Sequence, residues 1–162
     1  FKKQKYEFKI NTNFEQVIAL CQKVQRKNED TWINDIIINT YTKLYKIKES
    51  HSVECYENNK LVGGLYGVAL GGAFFGESMF SDKVDASKIA LVHLVARLVK
   101  GGFSLLDTQF VTHHLSQFGA VEIHRSGYRL LLSSALNKNG KFRPVLDEAE
   151  LSFFIQSTTQ TS

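Results

Sequence analysis

HSVECYENNKLVGGLYGVALGGAFFGESMF, residues His51 to Phe80, is the stretch whose reading decides the fold. His51–Tyr56 reads as a strand. Asn58-Asn59 is a turn signal, because short amide side chains tolerate left-handed backbone. Leu61–Leu70 reads as the next strand, Gly71-Gly72 as a hairpin turn, and Ala73–Phe80 as the returning strand. Three strands in succession joined by tight turns imply an antiparallel meander.

Downstream, Val84–Val99 is the longest periodic helix, with Leu91, Leu94, Val95 and Leu98 on one apolar face. His93, Arg97 and Lys100 form a polar stripe, read as a solvated face open to phosphate contact. Gly101-Gly102 ends the helix. Phe103–Phe110 reads as a strand, Thr112–Phe118 as a short helix, Gly119–Ile123 as a short strand and Tyr128–Leu136 as a helix. From Asn137 the chain reads as a polar, partly disordered tail, with the only proline, Pro144, and a Ser/Thr/Gln run at its end.

Upstream, Tyr6, Phe8 and Ile10 alternate with charged residues, the pattern of an edge strand. Phe14–Val24 has helical spacing behind Asn13, a plausible N-cap. Lys27–Asp30 is a polar break. Thr31, Trp32 and Ile33 then lead into a helix over Asn34–Ile47, with Ile37, Tyr41, Leu44 and Tyr45 on one face. The whole is α+β, with helices flanking a mostly antiparallel sheet. We divide it into one domain over residues 1–136 and a tail over residues 137–162.

Net charge is +4, from 20 basic and 16 acidic residues, which suits contact with a polyanion without requiring it. No run of about 18 apolar residues and no secretory pattern occurs, so no membrane partner is expected. Two cysteines, Cys21 and Cys55, fit a reducing cytoplasm. The chain opens at Phe1 rather than at a methionine, which reads as a piece of a longer protein.

Strand geometry singles out polar residues. Alternation puts Phe75, Glu77 and Met79 on one face, so Glu77 sits between two large apolar side chains. There a carboxylate needs a hydrogen bond or an open rim. Leu105, Asp107 and Gln109 likewise share a face, with residues two apart on a strand roughly 7 Å apart. Asp107 can accept from the Gln109 amide NH2 and aim its carbonyl oxygen outward, where it can hold the N–H of an attacking amine. Spacing alone favours a solvent-facing strand end. Gly63, Gly64 and Gly67 imply close approach of a backbone or ligand, or plain tight packing. No phosphate-loop motif is present. The five histidines, His51, His93, His113, His114 and His124, have no zinc-ligand spacing. A Cys–His nucleophile pair stays open, because such partners need only be near in space. Trp32, the only tryptophan, is a core residue or a stacking platform for a base.

The stretch His51–Leu98, continued by LLDTQFVTHHLSQFGAVEIHR at Leu105–Arg125 and by TWI at Thr31–Ile33, resembles the leucyl/phenylalanyl-tRNA–protein transferase family. GGLYGV, FFGESMFS, ASK and LLDTQ in this order are specific together, and the resemblance covers roughly Phe1 to Leu136. It implies a GNAT-like N-acyltransferase fold and peptide-bond formation without metal or organic cofactor. The implied donor is a leucyl- or phenylalanyl-tRNA, and the implied acceptors are proteins with N-terminal Arg or Lys. The product's bulky apolar N-terminus marks it for N-end-rule degradation.

The LLDTQ motif puts the family's catalytic pair on Asp107 and Gln109. GES puts a substrate-binding carboxylate on Glu77, and TWI an adenosine-contacting aromatic on Trp32. The amino-acid pocket maps to Leu65, Leu91, Leu94 and Leu98, where some members carry Met at the first position and Phe at the last two. The family's small N-terminal domain is absent from residues 1–162, and a monomer is expected. The alternatives are an acetyl-CoA-dependent acetyltransferase, which needs a glycine-rich loop entering a helix, and a non-catalytic tRNA-binding remnant.

Overall fold

The computed structural model describes residues 6–26, 32–109, 111–142 and 145–159. Residues 1–5, the Lys27–Asp30 break, Thr31, Phe110, Arg143, Pro144 and the last three residues lie outside the described residues. In chain order the elements are β1 (Glu7–Ile10), α1 (Phe14–Arg26), α2 (Asp35–Lys46), β2 (Ser50–Glu57), β3 (Lys60–Leu70) and β4 (Ala73–Ser81). Then come α3 (Ala86–Lys100), β5 (Leu105–Asp107), α4 (His113–Ser116), α5 (Arg125–Leu136) and α6 (Glu148–Thr159).

The expected meander is present. The sheet runs β1-β2-β3-β4-β5, antiparallel up to β4, with β5 added parallel to it. Alternating side chains of the meander feed cores on both of its faces. On one face Tyr66, Leu61 and Phe80 pack with Phe14, Val17, Ile18 and Cys21 of α1, and Ile37 and Tyr41 of α2 close over them. On the other, Val53, Leu65 and Phe74 pack against Ala90, Leu91, Leu94 and Leu98 of α3. The glycines of β3 are explained by tight packing. A Cβ on Gly63 would stand 2.6 Å from that of Ala86 in α3, and one on Gly67 would stand 2.3 Å from the Phe75 carbonyl oxygen.

Helix α3 ends as expected. Gly102 is left-handed (φ 78), and the Phe103 and Gly102 N–H groups return to the carbonyls of Leu98 and Val99. Its polar stripe is not solvated, however. His93 and Arg97 are each 5% exposed. The His93 ring stacks on Phe8 at 3.9 Å, and Arg97 Nη1 donates to the His93 carbonyl at 2.8 Å. Only Lys100 reaches the surface, where it pairs with Glu150 of α6.

Four local expectations change. The strand over Phe103–Phe110 shrinks to Leu105–Asp107, because the chain turns immediately after Asp107. Gly119–Ile123 pairs with no strand among the described residues. Helix α5 begins at Arg125, before Tyr128, because the His124 side chain accepts from the Ser126 N–H and caps it. The stretch read as a tail carries α6 and packs back on the domain. Phe142 stacks on His51 at 4.2 Å, Gly140 N–H donates to the Gly71 carbonyl at 3.1 Å, and Leu151 is buried.

One buried carboxylate ties the layers together. Glu54 of β2 has no exposed surface and accepts from the Thr12 and Asn13 N–H groups, each at 2.9 Å, as the chain enters α1. The Thr12 hydroxyl, Ser52 Oγ (2.8 Å) and Tyr56 OH (3.3 Å) complete its shell. A buried charge is tolerable when its lone pairs are filled in this way.

Candidate active site

Strand β4 carries one residue more than its neighbour. Gly67 faces Gly76 and Tyr66 faces Ser78, so Glu77 is the extra residue of a bulge. The bulge reverses the alternation. Phe74 and Met79 both pack on the α3 side although they stand five positions apart, an offset that puts side chains on opposite faces of a regular strand, while Phe80 packs on the α1 side. The shared face expected for Phe75, Glu77 and Met79 therefore does not form.

Gly76, Glu77, Ser78 and Met79 line a cavity of about 330 Å³ between the sheet and α3. Its apolar wall is Leu65, Met79, Leu91, Leu94, Leu106 and Leu115. Three of the four expected leucines thus line it. Leu98 does not, being packed in the α3 core instead. A wider groove of about 860 Å³ shares Leu91, Leu106, Thr108 and Leu115 with the cavity, and Asp107, Gln109 and Tyr128 line it.

Asp107 and Gln109 come together, but not as neighbours on one strand. Strand β5 ends at Asp107, whose Oδ1 accepts from the Gln109 backbone N–H at 2.7 Å. A carboxylate accepting from the N–H two residues on is an Asx turn. It holds Gln109 in left-handed backbone, φ 65. The expected bond from the Gln109 side-chain amide to Asp107 is replaced. Gln109 Nε2 donates instead to Glu77 Oε2 at 3.2 Å. That bond turns Oε1 of the same amide the other way.

Two tyrosines that the sequence had not singled out support these groups. From α2, Tyr41 lies beside Glu77, and burial together with that negative charge raises its phenol well above the ordinary value. From α5, the Tyr128 hydroxyl donates to Asp107 Oδ2 at 2.6 Å, which pushes its pKa up to about 12. Tyr41 stood on the apolar face of its helix, where a phenol can pack its ring and extend its hydroxyl. No spacing in the sequence pointed to either partner.

Trp32 lies just before α2 and is 44% exposed, its ring lining neither cavity. Both thiols are buried, and burial pushes Cys21 and Cys55 up to about 12. A thiol held that high is not a nucleophile at neutral pH, so the Cys–His pair is removed.

Solved structures show the fold. An aminoglycoside acetyltransferase from an uncultured soil metagenomic sample, bound to trehalose, superposes with a TM-score of 0.53 at 15% identity, covering 90% of this chain and 99% of that one. A predicted acetyltransferase from Clostridium acetobutylicum with acetyl-CoA gives 0.54 at 7% identity, covering 74% and 92%. The chain therefore has the GNAT-type acetyltransferase fold.

In sequence it is 54% identical over 157 residues to the leucyl/phenylalanyl-tRNA–protein transferase of Maricaulis maris, covering 97% of this chain and 73% of that protein. It is 57% identical over 137 residues to that of Caulobacter vibrioides, covering 85% and 63%. The chain thus spans from under two thirds to about three quarters of these relatives' lengths. Residues 1–133 match the family model described as leucyl/phenylalanyl-tRNA protein transferase, and with relatives this similar the chain belongs to that family.

Proposed function

We propose that this chain carries the catalytic site of a cytoplasmic, monomeric aminoacyltransferase. It moves leucine or phenylalanine from an aminoacyl-tRNA to the N-terminal Arg or Lys of acceptor proteins, which feeds their degradation. The observation that carries this reading is the Gln109–Glu77 hydrogen bond, which joins the wall of the apolar cavity to the wall of the open groove.

The donor's side chain enters the cavity between Leu65, Leu91 and Leu94, and Trp32 stacks on the terminal adenosine. Unbranched apolar side chains fit such a pocket and β-branched ones do not, a discrimination of about 1–3 kcal/mol. The acceptor's amine arrives along the groove. An α-amino group has a pKa near 8, so a useful fraction is neutral at physiological pH. Gln109 Oε1 holds one of its N–H bonds while the nitrogen lone pair attacks the ester carbonyl. The C–N bond forms, the C–O bond to the tRNA 3′ oxygen breaks, and the proton lost by nitrogen ends on that oxygen. An ester is already activated, so positioning and a hydrogen-bond acceptor supply most of what the step needs. Asp107 acts through the loop by fixing the Gln109 backbone.

Acetyl-CoA chemistry fits less well. The segment Asp82–Asp85, which leads into α3, has no glycine and carries two aspartates that repel a pyrophosphate. The deciding experiment measures transfer of labelled leucine and phenylalanine from tRNA to a substrate with N-terminal Arg, using the full-length protein. Transfer is expected, with Asp107→Ala and Gln109→Ala each lowering it about 100-fold or more. No transfer of either amino acid sinks the proposal, and salt-dependent tRNA binding without turnover favours the non-catalytic remnant.

A further inference from the structure

Gln109 stands in a conformation it would not choose alone. Left-handed backbone is unfavourable for a residue with a Cβ and persists where its surroundings dictate it. Its φ is 65, and its N–H is held by Asp107 Oδ1 at 2.7 Å. A carboxylate tethered by one oxygen can still swing about its own side-chain bonds. The second oxygen of Asp107 is taken by a residue from a different element. Tyr128, one turn into α5, donates its hydroxyl to Oδ2 at 2.6 Å, the short distance of a charge-assisted O–H···O⁻ bond.

We propose that Tyr128 is a positioning residue for this reaction: its hydroxyl locks the Asp107 carboxylate, which in turn sets the loop that aims the Gln109 amide. The inference rests on the catalytic reading of Asp107 and Gln109 given above. The chain of contacts runs Tyr128 to Asp107, Asp107 to the Gln109 backbone, and the Gln109 amide to Glu77. Helix α5 is thereby fastened to the end of β5 at the place where the amide is aimed. Tyr128 also lines the groove, so its ring forms part of the wall along which the acceptor approaches. Removing only the hydroxyl leaves the ring and that wall in place, and frees the carboxylate.

The test compares full-length wild-type protein with Tyr128→Phe, Asp107→Ala and the double variant in the leucine-transfer assay, measuring kcat and KM for leucyl-tRNA separately. Misplacing a reacting group by about 1 Å can cost about 100-fold, so Tyr128→Phe is expected to lower kcat roughly 10- to 100-fold. KM should stay within about twofold, because ground-state binding is not what the hydroxyl serves. Adding Tyr128→Phe to Asp107→Ala should change nothing further, since the hydroxyl acts through the carboxylate.

Wild-type kcat in Tyr128→Phe beside an inactive Asp107→Ala overturns the positioning role and leaves the catalytic reading standing. So does a double variant in which the two losses multiply. A rise in KM with kcat unchanged also overturns it, because the residue would then serve binding. Wild-type transfer by Asp107→Ala overturns the catalytic reading and this inference with it.

Discussion

The side-chain amide of Gln109 donates to the carboxylate of Glu77 at 3.2 Å, across 32 residues of sequence. Each partner is set by an irregularity: Glu77 by a bulge in β4, Gln109 by an Asx turn after β5. Regular strands would have carried both side chains elsewhere. Two departures from ideal geometry therefore build the junction between cavity and groove.

Removing the Glu77 carboxylate should misorient Gln109. Glu77→Ala takes away the acceptor for Nε2 and the charge beside Tyr41. The transfer assay is expected to show a fall in kcat/KM of about 100-fold, with Glu77→Gln losing less because its amide oxygen can still accept. Equal loss in both variants would assign Glu77 a role that requires its charge.

Leu94 and Leu98 should separate by phenotype. Leu94 lines the cavity, so Leu94→Phe shrinks it and is expected to lower transfer of phenylalanine relative to leucine about 10-fold. Leu98 is packed in the core and does not line it. Leu98→Phe is expected to destabilise the fold by about 1–3 kcal/mol while leaving the Leu-to-Phe ratio unchanged. Urea denaturation and competitive transfer with both tRNAs measure the two effects.

Acidification should weaken the fold through two buried histidines. Burial lowers His51 to about 4, and burial with the nearby Arg97 cation lowers His93 to about 4. The groups facing these rings are Phe142 and the Asn11 amide for His51, and Phe8 and Arg97 for His93. The unfolded chain takes up protons near pH 6.5 that the folded chain refuses. Stability is therefore complete above 6.5 and falls as pH drops towards 4, by up to about 1.4 kcal/mol per pH unit for each ring. Urea unfolding at pH 7 and pH 5 tests this, and His93→Gln should flatten the slope.

Deleting the Glu54 carboxylate should be among the most damaging changes outside the site. Glu54→Ala leaves the part-buried Thr12 and Asn13 N–H groups without their acceptor. The expected loss is about 3 kcal/mol or more in chemical denaturation. A loss below about 1 kcal/mol would mean that water reaches those donors in the variant.

The meander was legible because local rules decide it. Asn58-Asn59 and Gly71-Gly72 take turns that few other residues take, and apolar runs between them must pair to hide their backbone. Both asparagines and Gly71 do adopt positive φ. The helix over Ala86–Lys100 was legible from its leucine spacing, and its end from Gly101-Gly102. The candidate site was legible as residue identities, through the ordered motifs around Glu77, Asp107 and Gln109, and not as geometry. Alternation placed Glu77 on the wrong footing, since a bulge depends on how β3 and β4 register. The His93–Arg97 stripe read as a surface because both residues are polar, yet stacking on Phe8 from β1 draws the imidazole inside.

By itself, then, the sequence determined the antiparallel meander, the helices and their apolar faces, and which polar residues stand where chemistry is possible. Those follow from turn chemistry and periodicity, which act over a few residues. The tertiary structure alone decided that Gln109 bonds Glu77, that Tyr128 holds the Asp107 carboxylate while Tyr41 lies beside Glu77, and that Leu98 stays out of the cavity. Each of these is a contact between elements far apart in the chain, and such contacts are selected by packing of the whole sheet and its helices rather than by any local preference.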